Sequence, residues 1–147
     1  MAFRPEQNDA GHVRTLHSFW PEMMQRTGLV VEDEWLIRLE LVEELTAAGW
    51  TVREAGNGEE ALELIAKAHA ASDKIDFLVT DIRLGGAVDG WDVAEACRKA
   101  WPGLPVIYVS ANPVVESRRV TGGAMLSKPV EVEVLLSLCR KLIADAP

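Results

Sequence analysis

The 147-residue chain is 48% hydrophobic and 26% charged, which suits a single soluble globular domain. Its 15 basic and 23 acidic residues leave a formal charge of −8, which repels a phosphate backbone and argues against direct nucleic-acid binding. No apolar run reaches the roughly 18–20 residues of a membrane span, and the N-terminus lacks the apolar stretch of a secretory signal, so no membrane association and a cytoplasmic setting are expected.

Residues 1–26 come first and do not fit the alternation that follows. They hold Pro5, Pro21 and an apolar patch of Leu16, Phe19, Trp20, Met23 and Met24. An N-terminal extension is expected over 1–26, loosely structured or partly helical near His12–Trp20, with translation from Met23 or Met24 as an alternative. The domain proper is expected over 27–147. Its first strand is the apolar run Leu29–Val31. Ile37, Leu41, Leu45 and Ala48 then recur at helical spacing, with Gly49 as a stop. Thr51–Ala55 alternates like an edge strand, and Asn57 can cap a helix carrying Ala61, Leu62, Ile65 and Ala68. Phe77–Val79 is a second continuous apolar run, followed by a helix with Val93, Ala94, Cys97 and Trp101. Val106–Val109 is the third such run, and a short, weak helix is expected near Val114–Val120. Gly123–Ser127 reads as a last strand, and a final helix over about Glu131–Ala144 sets Leu135, Leu138, Cys139 and Leu142 on one face.

Strand and helix thus alternate five times, which predicts an α/β doubly wound (βα)5 fold of flavodoxin-like type with a parallel sheet in the order 2-1-3-4-5. The continuous apolar runs agree, because strands of such a sheet are covered on both faces. The chain ends a few residues after the last helix, and no second domain is expected there. Cys97 and Cys139 fall on core faces without paired ligand spacing, so both are expected as reduced, buried thiols. His12, His17 and His69 likewise show no ligand spacing.

In an open α/β sheet, ligands bind beyond the carboxyl ends of the strands. This chain places Glu32, Asp33 and Glu34 after the first strand, Asp81 after the third, Ser110 after the fourth, and Lys128-Pro129 after the fifth. Carboxylates crowded together repel unless one keeps a proton or a cation joins them. Mg²⁺ suits such a set, since it takes oxygen ligands and commonly uses one or two carboxylates plus phosphate oxygens. With the metal bound, Asp81 can stay ionised and attack phosphorus. Mg²⁺, Lys128 and Ser110 could then each neutralise one equatorial oxygen. Each residue also has a plain structural explanation: helix N-terminal charge for Glu32 and Asp33, a turn former for Asp81, a surface amine for Lys128. Together, at four strand ends, they favour the chemical reading.

These stretches resemble the receiver domain of bacterial two-component response regulators, in particular the single-domain, chemotaxis-receiver-like kind. The matching text is Leu29-Val-Val-Glu-Asp-Glu34, Val79-Thr-Asp-Ile-Arg-Leu84 with Asp89-Gly-Trp91, Pro105-Val-Ile-Tyr-Val-Ser-Ala111, and Lys128-Pro129, spanning about residues 27–144. The resemblance implies Asp81 as phosphoacceptor, with Mg²⁺ held by Asp33, Asp81 and the backbone carbonyl of Arg83, and by Glu32 mostly through water. It implies Ser110 as the switch hydroxyl, Lys128 as the phosphoryl-binding amine, and Pro129 as a cis-proline candidate. Arg83 and Asn112 would flank the phosphoryl group. Implied partners are a histidine kinase or histidine phosphotransfer protein as donor and a separate downstream protein as target. The pattern is departed from at Met125, which stands at the switch-aromatic position, and at Val130, commonly Phe. The loop Leu84-Gly-Gly-Ala-Val-Asp89 is longer and richer in glycine than usual, hence expected to be more mobile. Trp35 follows the acidic cluster, where it can shape access.

Two other functions compete with a phosphorylation switch. A receiver-like interaction module that is never phosphorylated fits Met125 but not the complete acid, hydroxyl and amine set. An aspartate-nucleophile phosphatase usually needs a second Asp two residues after the nucleophile, and that position is Arg83. The expected behaviour is therefore not enzymatic beyond self-phosphorylation and slow autodephosphorylation.

Overall fold

Along each central strand, successive side chains point to opposite sides and both sides are buried. Leu29 and Val31 join Leu78, Val106 and Tyr108 in one apolar cluster, while Val30 joins Phe77, Val79, Ile107 and Val109 in another. Such a strand needs a helical layer on each face, which is why these runs read as continuous rather than alternating.

The computed structural model describes residues 26–112 and 118–146. The strands are β1 (Thr27–Val31), β2 (Thr51–Ala55), β3 (Phe77–Asp81), β4 (Val106–Ser110) and β5 (Ala124–Ser127). The helices among the described residues are α1 (Trp35–Ala47), α2 (Gly58–Ala70), α3 (Gly90–Ala100) and α4 (Val132–Asp145). All strand pairs are parallel, in the order β2-β1-β3-β4-β5. Helices α2 and α3 cover one face through Ala61, Ile65, Ala68, Val93, Ala94 and Cys97. Helices α1 and α4 cover the other through Leu41, Leu45, Leu135, Leu136 and Cys139. The expected fold class stands, and both cysteines are free and buried. Burial pushes each thiol up to about 12, so both behave as inert core groups.

Two helix starts are written into the sequence. Asn57 Oδ1 accepts from the Glu60 N–H at 2.7 Å, and Asp89 and Asp92 form a reciprocal capping box, each bond 3.0 Å. β2 is an edge strand with mostly half-exposed or exposed side chains, as its alternation predicts. The weak helix expected near Val114–Val120 lies outside the described residues over 113–117, and residues 118–120 are not helical. The expected turns near His12–Trp20 also lie outside them.

What this topology does for function is to create a switch point. The chain leaves β1 for β2 on one side and crosses to β3 on the other, so the ends of β1 and β3 diverge around a crevice.

Candidate functional site

Val31 is the last residue of β1, so Glu32 and Asp33 emerge directly onto the rim of that crevice; Asp81 is the last residue of the neighbouring β3. One carboxylate oxygen from each of the three lies within 4.8 Å of the others. Glu32 is 1% exposed and Asp81 9%, whereas Asp33 faces solvent. Lys128 enters from just past β5, its Nζ 2.8 Å from Glu32 Oε1 and 2.9 Å from Asp81 Oδ2. The Lys128–Pro129 peptide is cis.

Three carboxylates face one ammonium, which leaves surplus negative charge in a half-buried space. Burial is the main force pushing the Glu32 carboxyl up, to about 7. Lys128 and the Glu34 N–H pull it back, and Asp81 adds to the rise. For Lys128, burial opposes the ammonium, but Glu32 and Asp81 outweigh it and hold the amine above the ordinary lysine value. Glu32 Oε2 accepts from the Glu34 N–H at 3.1 Å. Oε1 has the Lys128 amine 2.8 Å away. Three carboxylates converging on one rim, two of them buried, form an oxygen donor set that fits a hard divalent cation.

The remaining expected residues sort as follows. Arg83 meets Asp81 through its own N–H, which donates to Oδ1 at 3.3 Å, while the residue itself is exposed. Ser110 is buried at the end of β4. Its Oγ donates to Asn112 O at 2.7 Å and accepts from Asn112 N at 3.2 Å, so in this state the hydroxyl serves its own loop rather than Asp81. Met125 is half-buried and sits in register with Tyr108, whose hydroxyl accepts from the Val120 N–H at 3.1 Å. Trp35 opens α1 and is 63% exposed.

The loop after Asp81 is anchored at its two ends, while Gly85, Gly86 and Ala87 between them are exposed. Leu84 is buried, Val88 packs so closely on α2 that a Cβ at Gly58 would lie 2.4 Å from its carbonyl oxygen, and Gly90 N–H donates to Ile82 O at 2.7 Å. Gly90 is required here by space: a Cβ would lie 2.1 Å from the Asp81 carbonyl oxygen. Gly85, at φ 74°, supplies the turn beside Asp33.

One residue near the site was not singled out from sequence. Arg38, on the first turns of α1, donates from Nη1 to the backbone carbonyl of Glu32 at 2.7 Å and from Nε to Glu54 Oε1 at 3.0 Å. Its only sequence signal was an arginine one position after the inward-facing Ile37, which reads as an ordinary solvated charge.

Comparison with known proteins agrees with this fold. The response regulator receiver domain matches residues 29–140. The chain belongs to the response regulator receiver family. Over 120 residues this receiver is 38% identical to the response regulator MprA of Mycobacterium ulcerans (strain Agy99), covering 78% of this chain and 49% of that protein. The MprA of Mycolicibacterium vanbaalenii is 37% identical over the same length. The receiver thus spans about half the length of the curated relatives it matches. Among solved structures, a response regulator receiver protein from Sinorhizobium medicae WSM419 superposes with a TM-score of 0.76 at 31% identity, covering 82% of this chain and 96% of the other. The receiver domain of the hybrid histidine kinase CckA gives 0.68 at 29% identity, covering 80% and 98%. Among the described residues of the receiver, no helix is long and apolar enough to cross a membrane.

Proposed function

We propose that Asp81 accepts a phosphoryl group from a phosphohistidine of a histidine kinase or histidine phosphotransfer protein, with Mg²⁺ as cofactor. The phosphorylated domain then signals by binding a separate protein rather than nucleic acid or membrane. The observation that carries this reading is Lys128 Nζ at 2.9 Å from a buried Asp81 whose neighbours are two further carboxylates. An aspartate meant only to neutralise that lysine would not need Glu32 and Asp33 beside it.

Asp33 and Asp81 would hold the cation directly, with the Arg83 carbonyl, and Glu32 would act through water. Bound Mg²⁺ supplies charge neutralisation for the carboxylates and for one phosphoryl oxygen. Asp81 attacks phosphorus, an O–P bond forms, the P–N bond to the imidazole breaks, and the donor histidine leaves with its electron pair. Lys128 then follows a phosphoryl oxygen instead of the Asp81 carboxylate. Ser110 Oγ gives up its bond to Asn112 O and donates to another phosphoryl oxygen, which couples phosphorylation to the 111–123 connection. The donor must cover this rim, and exposed Trp35, Leu36 and Leu39 on α1 offer it an apolar footing.

Incubation with acetyl phosphate and Mg²⁺, read as acid-labile phosphate, tests this. Labelling of wild type but not of Asp81→Asn is expected; equal labelling of both removes the reading.

A further inference from the structure

Resting on the reading of the acidic pocket as a divalent-cation site, we propose that Arg38 is a positioning residue that fixes the backbone of Glu32 and so sets the pose of the carboxylates around the cation.

The need for it comes from where the β1 ladder stops. Glu32 lies one residue past β1, and its N–H still donates to Ala55 O at 3.2 Å. Its carbonyl has no such continuation, because β2 ends at Ala55 and the chain turns through Gly56 into Asn57, the cap of α2. A carbonyl at this half-buried place requires a donor. Arg38 Nη1 provides it at 2.7 Å. The guanidinium is anchored at its other edge by Glu54 on β2, at 3.0 Å, and it lies over Gly56, where a Cβ would stand 3.1 Å from Nη1. Arg38 is also tied at its own main chain, its N–H donating to Glu34 O at 2.9 Å. Residues 32–34 are thereby held from β2, from α1 and from within, through the bond between Glu34 N–H and Glu32 Oε2. A rigid fork with two donors in fixed geometry can link the carbonyl to Glu54 in a way one ammonium cannot.

Position and charge make opposite predictions, which is what makes the role testable. As a nearby positive charge, Arg38 repels a divalent cation, so its removal would tighten binding. As a clamp on the carboxylates, its removal loosens the site and weakens binding, as the loss of orienting groups around metal ligands typically does.

The test uses the full chain with Mn²⁺ as the probe, its free fraction read by electron paramagnetic resonance and Mg²⁺ followed by competition. Arg38→Ala is expected to bind Mn²⁺ roughly tenfold more weakly, with Arg38→Lys in between because one ammonium can still donate to the Glu32 carbonyl but cannot also hold Glu54 in fixed geometry. In the acetyl phosphate reaction, half-saturating Mg²⁺ should rise in step while the rate at saturating Mg²⁺ stays within about twofold. Binding that is unchanged or tighter in a folded Arg38→Ala overturns the proposal, as does a melting point lowered in EDTA with no change in Mn²⁺ affinity. Should Arg38→Ala fail to fold, Arg38→Lys and Glu54→Gln carry the test, and unchanged affinity in both overturns it. A wild-type chain that binds no Mn²⁺ would instead sink the cation-site reading itself, and this one with it.

Discussion

Lys128 Nζ stands 2.9 Å from Asp81 Oδ2, although 47 residues separate the two along the chain. The amine is 15% exposed and forms ion pairs with both the Glu32 and the Asp81 carboxylates. Removing it leaves two buried carboxylates facing each other. Lys128→Ala is therefore expected to lower the unfolding free energy in EDTA at pH 8 by roughly 1–3 kcal/mol, less than a fully buried pair would lose because the amine is partly hydrated. Added Mg²⁺ should recover part of that loss. Urea denaturation with and without Mg²⁺ measures both effects, and a variant as stable as wild type in EDTA would show that the pair contributes nothing.

The Glu32 carboxyl gives a pH signature. It is raised from an ordinary 4.5 to about 7 in the folded, metal-free protein. Between those values the folded chain holds a proton that the unfolded chain has lost, so this group's contribution to stability falls as pH rises through that window. The slope is at most about 1.4 kcal/mol per pH unit, the limit for one proton. Comparing urea midpoints in EDTA at pH 5, 6 and 7, wild type should lose stability relative to Glu32→Gln. Parallel profiles for the two proteins would assign the slope elsewhere.

Gly90 is where the phosphoacceptor strand and α3 come closest. Since a Cβ would stand 2.1 Å from the Asp81 carbonyl oxygen, and backbone cannot swing aside as a side chain does, Gly90→Ala should destabilise by more than about 3 kcal/mol. It should also move the Asp81 carboxylate, weakening Mn²⁺ binding in whatever folded fraction remains. Thermal melts decide the first point; a variant within about 1 kcal/mol of wild type would contradict the packing described.

Asn57 tests the edge of the fold rather than its site. Its side chain satisfies one backbone N–H at the start of α2, so Asn57→Ala should lose about 1 kcal/mol, while Asn57→Asp should lose little. Equal stability of all three proteins in urea would mean that solvent replaces the cap.

The central strands and the convergence of Glu32, Asp33, Asp81 and Lys128 were readable because burial on both faces and position at strand ends leave plain marks in sequence. Leu29–Val31, Phe77–Val79 and Val106–Val109 had no polar face to offer, which implied helices on both sides. Asp81 and Lys128 could be brought to one rim from sequence because both stand at the ends of strands of one parallel sheet. The anchoring of the 84–89 loop was not readable: Val88 packs on Gly58, a close approach that depends on two segments about 30 residues apart meeting. Arg38 was missed for a related reason. Its partner is a main-chain carbonyl left over where a strand ladder ends, and no side-chain pattern records such a vacancy. The bond between Ser110 and Asn112 was equally hidden, since a serine at a strand end looks the same whichever acceptor it chooses.

The central claim is that the carboxylate of residue 81 becomes an acyl phosphate, and borohydride addresses that bond directly, because it reduces an acyl phosphate to an alcohol and leaves a free carboxylate untouched. After incubation with acetyl phosphate and Mg²⁺, peptide mapping of the reduced protein should find homoserine at position 81 and unmodified aspartate at 33. Homoserine elsewhere with aspartate intact at 81, or no reduction in Mg²⁺ beyond that in EDTA, would contradict it.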